Sequence, residues 1–204
     1  MKEQTQSAPP ATHDLQSPRL SEIVLKTSRF EVVRDWYQVV LSSTPSFEYE
    51  RPLNSEDGGS SRVENFRRLC FLRVFAEFPY TQVLAIFDVP NLIGTAGNTG
   101  LHHMQFRERS LESLVIRYER LLQLGVAPYQ SFNHGPSTSF YYEDPDGNLV
   151  ELSGPNYETE EEYLNFFKTP AFQKNPSGIE IDVADFVRRY RAKERLQTLI
   201  RLPD

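Results

Sequence analysis

The sequence predicts an α+β fold in which paired βαβββ modules form a curved mixed sheet around a pocket, with helices added at the C-terminal end. Three observations predict it. A strand-then-helix pattern returns later in the chain at fixed offset, each copy runs on into further β-rich segments, and helical periodicity resumes past Pro155. The expected division is a flexible tail over 1–18, one domain over 19–155 with repeats at about 19–90 and 100–155, and a helical extension over 156–204.

The opening MKEQTQSAPPATHDLQSP is polar and Pro-rich without apolar periodicity, so it cannot offset its ordering entropy and reads as a tail, His13 included. RLSEIVLKTSRFEVVRDWYQVVL then reads as a strand followed by a helix from about Phe30 to Leu41, with Val33, Trp36, Tyr37, Val40 and Leu41 at helical spacing. Laid beneath it without gaps, LHHMQFRERSLESLVIRYERLLQ repeats the pattern. Phe30 pairs with Leu111, Glu31 with Glu112, Tyr37 with Tyr118 and Leu41 with Leu122, and Glu22 falls opposite His103. RRLCFLRVFAEF and TQVLAIFDV, split by Pro79, continue the first copy as strands; STSFYYE and NLVELSG, split by the turn signal DPDG, continue the second. The loop from Arg51 to Asn65, rich in Gly, Ser and charge, has no counterpart in the second copy and is expected to act as a lid. ETEEEYLNFFKTPAF and DVADFVRRYRAKERLQTLI read as two helices that pack outside the repeats or against a second subunit.

Composition narrows the function. The chain has 204 residues, 39% hydrophobic, enough for one sizeable core. A net charge of -6 without a long basic run argues against nucleic acid and anionic membranes and favours a small-molecule partner. The single cysteine, Cys70, cannot form an internal disulfide, and no apolar run is long enough to span a bilayer or serve as a signal peptide, so the cytoplasm is the expected compartment.

If a pseudo-twofold axis relates the copies, their first strands lie beside it and Glu22 can converge with His103. The last strand of the second copy adds Glu151 inside the apolar run NLVEL, where an unpaired charge is costly. Its counterpart in the first copy is roughly Ala85, which ligates nothing. Glu22, His103 and Glu151 thus form a candidate metal set with open positions, as catalysis requires. The bland readings are a hydrogen-bonded strand histidine, an edge-strand charge at Glu22 and an arginine partner at Glu151. His102 falls on the opposite strand face by period-two alternation and is assigned to packing or to support of His103.

The segments LSEIVLKTSRFEVVRDWYQVVL, GLHHMQF, NHGPSTSFYYEDPDGNLVEL and TPAFQKNPSGIEIDV resemble the vicinal oxygen chelate superfamily, and within it the single-module extradiol dioxygenases of biphenyl-diol type. The resemblance runs from about Arg19 almost to the C-terminus, with 133–152 its most specific part. It implies a divalent metal, Fe(II) first with Mn, Mg or Zn as alternatives, held by His103 and Glu151. It also implies that Tyr141 hydrogen-bonds a metal-bound diol and that His134 lines the substrate pocket. Two positions depart from it. Glu22 stands where that family has its first metal histidine, and Gln82, in YTQVLA, stands where it has its acid–base histidine. Glutamine hydrogen-bonds but cannot shuttle a proton near neutral pH.

The resulting expectation is a metal-dependent oxygenase that cleaves or oxidises an aromatic or phenolic small molecule with O2. Its ligands are Glu22, His103 and Glu151; Tyr141 positions the substrate, and His134 carries the proton that Gln82 cannot. The alternatives are a non-oxidative isomerase or lyase acting through an enolate, which a carboxylate-rich set suits through Lewis-acid stabilisation, and a metal-free small-molecule binding module. A homodimer is compatible with such modules, although no sequence feature fixes it.

Overall fold

A computed structural model describes residues 19–51, 66–77, 80–90, 92, 101–175 and 177–202. The expected tail, and the expected lid loop beyond Arg51 as far as Asn65, lie outside the described residues.

The first module comprises β1 (Glu22–Thr27), α1 (Phe30–Leu41), β2 (Pro45–Glu50), β3 (Arg68–Glu77) and β4 (Tyr80–Asp88). The second comprises β5 (Met104–Arg107), α2 (Leu111–Gln123), β6 (Gln130–Asn133), β7 (Ser137–Glu143) and β8 (Leu149–Pro155). The chain continues through α3 (Glu160–Phe166), α4 (Pro170–Lys174), β9 (Ile179–Glu180), α5 (Val183–Arg191) and α6 (Leu196–Leu199).

The strands form two mixed sheets with matching order, β1-β4-β3-β2 and β5-β8-β7-β6-β9. In each, the first strand of the module runs parallel to the last, and the other pairs are antiparallel. The registers also match. Val24 lies opposite Ala85 in one sheet and Gln105 opposite Glu151 in the other, so Ala85 and Glu151 occupy equivalent positions. Each module's helix buries the same stripe: Phe30, Val33, Tyr37 and Val40 in α1, and Leu111, Leu114, Tyr118 and Leu121 in α2, with Val115 added. Each such side chain contributes roughly 1.5–3 kcal/mol when fully buried.

Two strands are not visible in the sequence pattern. Beyond half-buried Pro45, every residue of edge strand β2 is exposed, so PSFEYE carries no buried alternation. β6 has four residues, too few to display a period. The two expected C-terminal helices are four short ones with a strand between. Thr169 caps α4 just ahead of Pro170, which separates it from α3, and Lys193, at φ 58°, follows the end of α5.

The modules are joined by polar contacts, the first of them buried. Tyr37 on α1 donates to Asp144 Oδ2 at 2.9 Å, in the turn between β7 and β8. Arg117 on α2 donates to the Val40 carbonyl at 2.9 Å and to Ser42 Oγ at 3.0 Å, satisfying the end of α1. The C-terminal extension packs on the second module. There Phe186, Val187, Leu199 and Ile200 enter the core, and Arg191 bridges Glu112 and Glu119 of α2, at 2.6 Å to each. Among the described residues no helix is long and apolar enough to cross a membrane.

Candidate functional site

Period-two alternation divides the second sheet. Met104, Phe140, Tyr142, Val150 and Leu152 point into the core beneath the helices. The residues between them, Gln105, Ser139, Tyr141, Glu151 and Ser153, therefore share the opposite face, and His103 and His134 reach it from the chain just before β5 and just after β6.

Glu151 anchors this face. It is 4% exposed, and a carboxylate so buried requires donors. Ser139 Oγ donates to its Oε1 at 2.6 Å and Gln105 Nε2 at 2.8 Å, while Gln105 also reaches Ser153 Oγ at 3.1 Å. Its other oxygen, Oε2, lies 3.0 Å from His103 Nε2. The His103 ring, one third exposed, opens this pair to solvent, and its Nδ1 lies 2.7 Å from His102 Nδ1. His102 thus meets His103 instead of pointing to the opposite face, because it precedes β5 and strand alternation does not decide its direction.

A second pair adjoins the first. Tyr141 OH lies 2.9 Å from His134 Nε2, and the Tyr141 and His103 ring centroids are 6.2 Å apart. Burial and then the charge of Glu151 push the Tyr141 phenol well above its ordinary pKa, so it remains a neutral donor. His134 Nδ1 lies 2.8 Å from the Ser177 carbonyl oxygen, and Phe132 stacks on the His134 ring at 5.5 Å with an 11° interplanar angle.

Glu22 and Gln82 belong to the first module. Both are exposed, and with Gln105 and Phe106 they line a cleft of about 150 Å³ between the modules. Gln82 Nε2 donates to the Leu20 carbonyl at 3.2 Å. His103 and Glu151 are therefore brought together, Tyr141 and His134 stand beside them, and Glu22 does not complete a cluster. Among the described residues no three His, Cys, Asp or Glu side chains gather as a ligand group. An imidazole nitrogen and a carboxylate oxygen facing each other are donors of the kind that suit a divalent transition metal. Gln105 and Ser139 went unnoticed in the sequence, yet each lies two residues from a candidate, His103 and Tyr141, and strand alternation would have identified both. A larger cleft of about 800 Å³, between the start of α2 and α3, contains none of the candidate residues.

Residues 19–152 match the family model described as Glyoxalase/Bleomycin resistance protein/Dioxygenase superfamily. The chain is 33% identical over 168 residues to biphenyl-2,3-diol 1,2-dioxygenase 2 of Rhodococcus globerulus, covering 81% of this chain and 78% of that protein. It is 29% identical to biphenyl-2,3-diol 1,2-dioxygenase 3 of the same organism, covering 86% and 84%. Among solved structures, the glyoxylase/bleomycin resistance protein/dioxygenase domain from Frankia sp. EAN1pec superposes with a TM-score of 0.53 at 15% identity, covering 69% of this chain and 99% of that one.

Proposed function

The chain belongs to the Glyoxalase/Bleomycin resistance protein/Dioxygenase superfamily, and on that premise we propose that it is a metal-dependent oxygenase acting on an aromatic or phenolic small molecule. The observation that carries this reading is the adjacency, on one sheet face, of the His103–Glu151 pair and the Tyr141–His134 pair. The relatives named biphenyl-2,3-diol 1,2-dioxygenase support the substrate class.

His103 and Glu151 would hold the metal, and Glu22, on the cleft that Gln105 also lines, is the third candidate ligand although it does not gather with them in this structure; Fe(II) suits this nitrogen-and-carboxylate set. Bound there, Fe(II) would bring a catecholate oxygen and O2 together and pass electrons from the substrate to O2, whose two atoms would both end in the ring-opened product. The remaining work belongs to the protein. Ser139 and Gln105 hold one oxygen of Glu151 and leave the other facing His103. Tyr141, kept neutral, donates its one hydrogen to His134 Nε2 and accepts at its oxygen from the substrate hydroxyl, so the proton that hydroxyl loses passes through Tyr141 to His134. Phe132, stacked on His134, shields that imidazole from water.

A second reading rests on Gln82. Its amide is held to the Leu20 carbonyl and cannot carry a proton, which favours a non-oxidative isomerase or lyase reaction through an enolate. One assay separates the two. Fe(II)-loaded protein should consume O2 stoichiometrically with a catechol and form a yellow ring-opened product. Absence of uptake with iron verified in the protein, together with turnover of an enolisable substrate under nitrogen with Mn(II) or Mg(II), would replace the oxygenase reading by the second.

A further inference from the structure

We infer that Ser177 and Gly178, in the C-terminal extension, are positioning residues that fix which nitrogen of His134 carries the proton; the inference rests on the reading of His134 as a proton acceptor. The Ser177 carbonyl lies 2.8 Å from His134 Nδ1, and a carbonyl oxygen only accepts. Nδ1 therefore carries the hydrogen of the neutral ring. Nε2 is left with its lone pair, and the Tyr141 hydroxyl, 2.9 Å away, must donate to it. Without such a contact, neutral histidine in water prefers the opposite tautomer, in which Nε2 is a donor and cannot accept a substrate proton.

Gly178 makes the contact achievable. Its φ is +77°, and a Cβ there would lie 2.3 Å from the Asn133 carbonyl oxygen and 2.6 Å from His134 Cα. Both are backbone atoms with no room to move aside, so any side chain at 178 drives the segment away from His134. The backbone around His134 is held on the other side as well. Asn133 pairs with Ile179 of β9, its Nδ2 donates to the Ile200 carbonyl at 2.7 Å, and its Oδ1 accepts from Gly135 N at 2.8 Å. Asn156 Nδ2 donates to the Gly135 carbonyl at 2.9 Å. Three parts of the chain, 133–135, 156 and 177–200, thus set one imidazole, and the acid–base group is incomplete without the extension.

The test is a long-range 1H–15N correlation on full-length protein carrying 15N-histidine, at a pH where the ring is neutral, with His134 assigned by its loss in His134→Gln. His134 should show a pyrrole-type Nδ1 and a pyridine-type Nε2, and should keep both in Tyr141→Phe. Gly178→Ala should shift it toward the opposite tautomer and lower kcat roughly 100-fold with KM little changed. A wild-type spectrum with the proton on Nε2 overturns the inference. So does loss of the Nδ1–H form in Tyr141→Phe, since Tyr141 rather than Ser177 would then set it. A folded Gly178→Ala protein with an unchanged spectrum and kcat overturns it too. If Gly178→Ala fails to fold, the wild-type and Tyr141→Phe spectra still decide. These spectra need neither metal nor substrate, so their outcome is separate from that of the oxygenase assay.

Discussion

His103 Nε2 and Glu151 Oε2 face each other at 3.0 Å, yet the two side chains sit in different surroundings: Glu151 is buried and His103 one third exposed. Their truncations should differ accordingly. Glu151→Ala leaves Ser139 and Gln105 as buried donors without an acceptor and should cost about 2–4 kcal/mol in urea unfolding. His103→Ala leaves both of those hydrogen bonds intact and should cost about 1 kcal/mol or less. Equal losses would show that the carboxylate is not the structural anchor of this face.

Tyr37 supplies a pH test. Burial first, and then the charge of Asp144 to which it donates, push its phenol above the ordinary value. The folded state therefore holds this proton more tightly than the unfolded chain. Its contribution is fully present below the unfolded pKa of about 10 and is lost as pH rises above it. Tyr37→Phe should cost about 1–2 kcal/mol at neutral pH. It should also flatten the alkaline decline by up to about 1.4 kcal/mol per pH unit, read from urea midpoints between about pH 8 and pH 11. Parallel pH curves for the two proteins would contradict the assignment.

Glu22 and Gln82 line one cleft, and the resemblance to the dioxygenases implies histidine at both positions. Glu22→His should restore a two-histidine, one-carboxylate metal set, and Gln82→His should restore the acid–base group. Such groups act as a unit, so neither change alone should suffice. The Fe(II)-loaded double variant should cleave simple catechols at least about 100-fold faster than the parent chain, followed by the yellow product. A parent rate equal to that of the double variant would contradict this and show that His134 alone carries the proton at full rate.

The repeat was legible because its evidence is periodic. The pairing of Phe30 with Leu111 and Tyr37 with Tyr118 fixed both helix faces, and Ala85 proved the register equivalent of Glu151. Glu151 itself was legible as a charge within an apolar strand. The alignment of Glu22 with His103 fixes each residue's place within its own module, but it carries no information about the distance between two separately hydrogen-bonded sheets. The Ser177 contact was invisible for a different reason. Its acceptor is a backbone carbonyl, which every residue possesses, and only the demand for glycine at 178 marks it.

Metal content tests the central claim most directly. After anaerobic reconstitution with Fe(II) and removal of excess, elemental analysis should find one iron per chain in the parent protein and none above background in His103→Ala or Glu151→Ala. No stoichiometric iron in a folded parent chain, or full retention in both variants, would contradict the assignment of His103 and Glu151 as the ligands.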